Sequence, residues 1–238
     1  MPGLKRMKAC WVWLLALTFP PAACPQDPTP APLRAVLGRG EGLVGADATI
    51  GRMLLAVVQS QMDGCDLVTA CNGVYCRSSV LQPILSLPSA KQVLQADSVE
   101  DFQRINWVSA KCCGYLMLLE EPRPLLALAA SRPNVWDYSG RYLVLGRSLA
   151  DLQALAATRK GKKTENLAGA VKTGDGRAWQ LYTGQLYWGP GVLAVTTWLG
   201  DAFTRPPRIF PDKVSNLRDA VLKARCRPGL APSGGCWP

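Results

Sequence analysis

Three unbroken apolar runs in the middle of the chain constrain its fold more than any other feature. Tyr115–Leu119, Tyr142–Leu145 and Leu167–Val171 show no polar alternation. They are too evenly hydrophobic for strands with one wet face and too short for helices of their own, so they read as strands buried on both sides. Helix signals lie between them. Pro124 suits the first turn of a helix through Ala130, and Ser148 with Asp151 opens a helix carrying Leu149, Leu152 and Leu155. Strand, helix, strand, helix, strand at this spacing predicts right-handed βαβ units on a parallel sheet.

Upstream, Ile50, Met53, Leu54, Val57, Val58 and Met62 follow helical spacing, with Asp47 as the expected N-cap. Leu67–Thr69 reads as a short strand, Ser78–Leu87 as a short helix kinked by Pro83, and Lys91–Ala96 as another strand. Ser98 and Asp101 have the spacing of a helix start. Downstream of Ala178 the pattern changes. Trp179, Leu181, Leu186, Tyr187 and Trp188 surround the turn signal Thr183-Gly184, and Val192–Trp198 follows Gly189-Pro190-Gly191, which predicts a β-meander. The expected fold class is therefore α/β: a partial parallel sheet of βα units, then a short meander and an incomplete C-terminal end.

The N-terminus has the zones of a secretory leader: basic Lys5, Arg6 and Lys8, an apolar stretch from Ala9 to Phe19, then small Ala22 and Ala23. Eleven residues rise only about 16 Å as a helix, short of a bilayer core of about 30 Å. The expected organisation is a signal peptide over 1–24, a Pro/Gly-rich linker over 25–45, an α/β domain over 46–177, a meander over 178–208 and an irregular remainder over 209–238. No later apolar run is long enough to span a membrane, so the processed chain is expected to be soluble and secreted. No Asn begins a glycosylation sequon.

Secretion gives the nine cysteines a natural use as disulfides. Adjacent Cys112 and Cys113 make a strained pair, so each is expected to bond to one of Cys65, Cys71 or Cys76, with the connectivity open. No C-x-x-C occurs, which argues against zinc and thioredoxin-like chemistry.

The chain has no histidine, which removes His general bases, His-activated nucleophiles and His metal ligands. The expectation is a non-enzyme with no catalytic, metal or cofactor residues. Net charge is +10, and +7 once the three leader cations are removed, without a basic cluster large enough to indicate nucleic acid. Arg159, Lys160, Lys162 and Lys163 read as a solvated run capping a helix C-terminus. Gly40, Gly42 and Gly45 match a dinucleotide fingerprint only formally, because no buried strand delivers the turn, so a Gly-rich entry loop is expected. Glu120 and Glu121 should end a strand, pointing to opposite faces. Trp179, Tyr182, Tyr187, Trp188 and Trp198 read as the aromatic core of the meander.

The stretch from Leu181 to Ala224 adds a resemblance. Leu186-Tyr187-Trp188-Gly189 is followed by Val195-Thr196-Thr197-Trp198, then Ile209-Phe210-Pro211-Asp212-Lys213, Asn216-Leu217 and Val221-Leu222. This order resembles the crustacean variant ionotropic glutamate receptors, in which a VATW strand and an LFPDK segment lead into the ligand-binding domain. Here Thr196 stands for the Ala of the first motif, and Ile209 for the Leu of the second. The resemblance implies the extracellular amino-terminal part of a chemosensory, ligand-gated cation channel, truncated before its two ligand-binding lobes and membrane spans. It implies partnership with other receptor subunits, a plasma-membrane setting for the full-length parent, and a small-molecule ligand held only in the missing domain. Arg218, Arg225 and Arg227 then carry no ligand-gripping role. The rival from another class is a free-standing secreted α/β binding module, since parallel sheets hold ligands outside the carboxyl ends of their strands.

Overall fold

Seven strands form one sheet in the order β2-β1-β3-β4-β5-β6-β7. They are β1 (Asp66–Cys71), β2 (Ala90–Gln95), β3 (Cys113–Leu118), β4 (Arg141–Gly146), β5 (Asn166–Lys172), β6 (Trp179–Gly184) and β7 (Val192–Trp198). The structure, a computed structural model, describes residues 44–105, 111–131, 136–186 and 191–213. The expected leader, residues 25–43 of the linker, residues 106–110, 132–135 and 187–190, and everything after Lys213 lie outside the described residues.

The first five strands run parallel, and β6 and β7 are each antiparallel to the strand before. The parallel order 2-1-3-4-5 is one of the two common doubly wound arrangements, reversing direction between β1 and β3. The three apolar runs predicted as double-sided strands are β3, β4 and β5. Their residues divide between two cores, as a fully covered sheet requires. Leu116, Leu118, Leu143, Leu145, Ala168 and Ala170 face α1 (Val44–Gln61), the turn Ser79–Leu81 and α3 (Gln82–Leu85). Tyr115, Met117, Tyr142, Val144, Leu167 and Val171 face α4 (Arg123–Ala130), α5 (Leu149–Ala157) and the turn Glu100–Arg104.

Local chemistry sets the helix ends. Ser148 Oγ accepts from Asp151 N at 3.3 Å while Ser148 N donates to Asp151 Oδ2 at 3.1 Å, a reciprocal capping box that starts α5. Ser98 N donates to Asp101 Oδ2 at 3.0 Å in the same manner, but this pair opens a 3₁₀ stretch, Glu100–Arg104, rather than an α-helix. Arg141 donates from its guanidinium to Gln61 O, satisfying one of the open carbonyls at the end of α1.

Several expectations are corrected. Helix α1 begins at Val44, so Asp47 lies within its first turn and the expected linker overlaps the helix by two residues. Pro83 does not kink a helix over Ser78–Leu87. The segment instead follows α2 (Gly73–Arg77) and divides into a 3₁₀ turn, Ser79–Leu81, and α3, and Pro83 sits in the first turn of α3, where its missing N–H has no intrahelical partner to lose. The expected meander is present as β6 and β7, and it extends the parallel sheet because β6 pairs directly with β5. The charge run is not wholly solvated. Lys160 is 2% exposed, its Nζ donates to Leu128 O at 2.9 Å, and it lies 5.6 Å from the Trp136 ring centre.

Candidate functional site

The topology directs attention to the carboxyl ends of the parallel strands, where doubly wound sheets leave a crevice outside the point at which strand order reverses. A cavity of about 220 Å³ opens along that edge, at the ends of β3, β4 and β5. Its floor is Leu119, Leu145 and Gly146, at the ends of β3 and β4, together with buried Trp179 at the start of β6. Tyr75 of α2 forms one wall, and Glu120, Arg147 and Lys172 supply charge.

Tyr75 is placed by two local devices. Asn72, directly after β1, accepts at Oδ1 from Tyr75 N at 3.2 Å and so caps α2. The Cys71–Cys76 disulfide ties the end of β1 to the same short helix. On the opposite side Glu121 forms ion pairs with Arg147 and with Arg123. These pairs are more than half exposed and orient the Arg147 side chain rather than stabilise the fold appreciably. Glu120 and Glu121 both follow the end of β3; Glu120 lines the crevice and Glu121 pairs with Arg147, another of its lining residues. Among the described residues neither Glu120 nor Lys172 forms an ion pair.

The five cysteines singled out in the sequence do not come together as one cluster. Cys65 bonds to Cys112 across 47 residues, and Cys71 bonds to Cys76. The expectation that Cys112 and Cys113 would each find a partner among Cys65, Cys71 and Cys76 holds for Cys112 only. Cys113 is a buried free thiol. As the first residue of β3 it turns into the core opposite the one holding Cys65, beside the Tyr115 hydroxyl. Among the described residues no three His, Cys, Asp or Glu side chains are grouped to hold a metal ion.

A second polar arrangement lies beneath α4 and α5, in the interior. Tyr115 stacks on Tyr142 at 4.5 Å and Tyr142 on Trp136 at 4.8 Å. Tyr115 Oη donates to Asp137 Oδ2 at 3.2 Å and Tyr142 Oη to Asp137 O at 2.8 Å. Burial, with the nearby Asp137 charge, pushes both phenols far above their ordinary range, so they remain neutral donors. Trp136 Nε1 donates to Thr164 Oγ1 at 2.9 Å, completing a satisfied interior network. The aromatics expected to form the meander core divide similarly. Trp179 and Trp198 are buried on the α1 side, and Tyr182 packs against the other core.

Sequence reasoning took Glu120 as a strand end and Trp179 as meander core, and it passed over Tyr75, Arg147 and Lys172. A usable signal existed, because Glu120, Arg147 and Lys172 are the first charged side chains after each of the three apolar runs. No protein-family model, curated protein or solved structure matches the chain. Two disulfides are the kind of cross-link that persists in oxidising compartments. Among the described residues no helix is long and apolar enough to cross a membrane.

Proposed function

We propose that this chain is the extracellular amino-terminal region of a receptor of the variant ionotropic glutamate type, a non-catalytic α/β module that associates with other receptor subunits. The observation that carries the reading is the packing of the segment on which the resemblance rests. Trp198 is 3% exposed, Ile209 is fully buried, and Lys213 is 1% exposed with Nζ donating to Glu165 O at 2.9 Å. The motif residues therefore anchor the segment after β7 to the amino edge of β5. Such an anchor suits a domain that holds a neighbouring domain at a defined position.

Long-read sequencing of the transcript tests this. The expected result is an open reading frame continuing beyond Val221-Leu222 into segments of about 20 apolar residues. An abundant transcript whose only product is secreted without such segments overturns it.

The crevice favours a second reading, a free-standing secreted binding module. It places an aromatic wall and charges without an ion-pair partner where parallel sheets hold ligands.

A further inference from the structure

We infer that the crevice at the carboxyl ends of β3, β4 and β5 binds a small zwitterion, a molecule of free amino-acid size carrying one carboxylate and one ammonium group. The inference rests on reading the chain as an extracellular binding module, and it names the ligand class of that site.

Charge is the first argument. Arg147 shares the single Glu121 carboxylate with Arg123, so it keeps positive charge and joins Lys172 on the cationic side of the crevice. Lys172 and Glu120 border the same cavity, form no ion pair with each other, and have no other charged partner among the described residues. A ligand bearing only a carboxylate meets Lys172 but is repelled by Glu120, and a simple amine meets the reverse conflict. A ligand with both groups satisfies both charges.

Size and shape are the second. A cavity of about 220 Å³ has room for roughly seven waters at about 30 Å³ each. It is below the roughly 300–1,000 Å³ of sites for drug-sized ligands, which favours a small ligand. Tyr75 and Trp179 offer aromatic surface to a short aliphatic side chain. The larger cavity, about 470 Å³ beside the end of α5, has Lys162 as its only charged wall residue among those described and provides no second group to orient a ligand.

The test uses the full processed chain and three matched probes: L-valine, 3-methylbutanoate, which lacks the ammonium, and isobutylamine, which lacks the carboxylate. Followed by NMR, L-valine should saturably shift the Trp179 indole and Gly146 amide signals with a Kd on the order of 1 mM. Each single-charge analogue should bind at least tenfold more weakly. Lys172→Met should erase the preference for L-valine over isobutylamine, and Glu120→Gln the preference over 3-methylbutanoate. Both residues are exposed, so unchanged thermal midpoints should accompany these losses. Equal binding of L-valine and either analogue overturns the zwitterion assignment while leaving a binding crevice. No saturable shift with any probe to 50 mM overturns both the assignment and the binding-module reading.

Discussion

Cys112 and Cys113 are neighbours in the chain but serve opposite sides of the sheet. Cys112 is bonded to Cys65, which lies in the core beneath α1, whereas Cys113 is a free thiol in the core beneath α4 and α5. The sheet itself separates the thiol from the disulfide. Peptide mapping without reduction should recover Cys65–Cys112 and Cys71–Cys76, with Cys113 alkylated only after denaturation. The two bridges should differ in weight. In the chain-entropy model a loop of 47 residues contributes about 4 kcal/mol and one of five residues about 2 kcal/mol. Replacing Cys65 and Cys112 by Ser should therefore lower stability about twice as much as replacing Cys71 and Cys76, and equal losses would contradict the assignment.

Gly140 lies against the stacked tyrosines. A Cβ there would overlap the Tyr115 ring and approach Asp137 Oδ2 to 2.8 Å. The ring cannot retreat, since Tyr115 is fully buried and stacked on Tyr142. Gly140→Ala should cost about 1–3 kcal/mol as an overpacking change. Gly174→Ala, with nothing within 4 Å of the new methyl, is the control and should stay within about 0.5 kcal/mol of the parent. Urea midpoints of the two variants decide the matter.

Lys213 gives the fold a measurable alkaline response. Burial, partly offset by the Glu165 charge, pushes its ammonium down to about 8. In the unfolded chain the group holds its proton up to its ordinary value of 10.5. Between those limits the unfolded state binds more protons than the native one, so stability rises with pH. At 1.36 kcal/mol per pH unit the gain reaches about 2 kcal/mol by pH 9.5. Lys160, lowered by burial, acts with the same sign, whereas the two raised tyrosines oppose it once the pH passes about 10. Denaturation at pH 7.5 and 9.5 should show Lys213→Met losing most of this increase. A gain as large as the parent's would show that Lys213 is not its source.

The leader is testable directly. Produced in a eukaryotic secretory system, the chain should appear in the medium without residues 1–24 and without N-linked glycan. Recovery of secreted protein still carrying Lys5 would refute cleavage.

The alternation of apolar runs and caps is enough to read β3, α4, β4, α5 and β5, because each is dictated by its own residues and local chemistry. The joining of the meander to the parallel sheet is not readable in this way. β5 is an equally apolar run whether its open side meets another βα unit or the antiparallel β6. Lys160 escapes for a related reason, since nothing in Arg159–Lys163 reveals that one lysine of the run lies over Trp136. The crevice charges are visible as the first charged residues after three apolar runs, but only the common direction of those strands shows that they share an edge.

The long disulfide also has a mechanical consequence. Cys65 and Cys112 enclose β1, β2 and all the chain between them in a covalent loop. Under a pull along the backbone, tension passes straight through the sulfur–sulfur bond. The enclosed segment, whose 47-residue separation amounts to about 160 Å of extended chain, stays slack. A force that unravels the antiparallel strands and then β5, β4 and β3 therefore lengthens the molecule only by what lies outside the loop, and the chain of β1, β2 and the Tyr75 wall of the crevice cannot be drawn out while the bond holds.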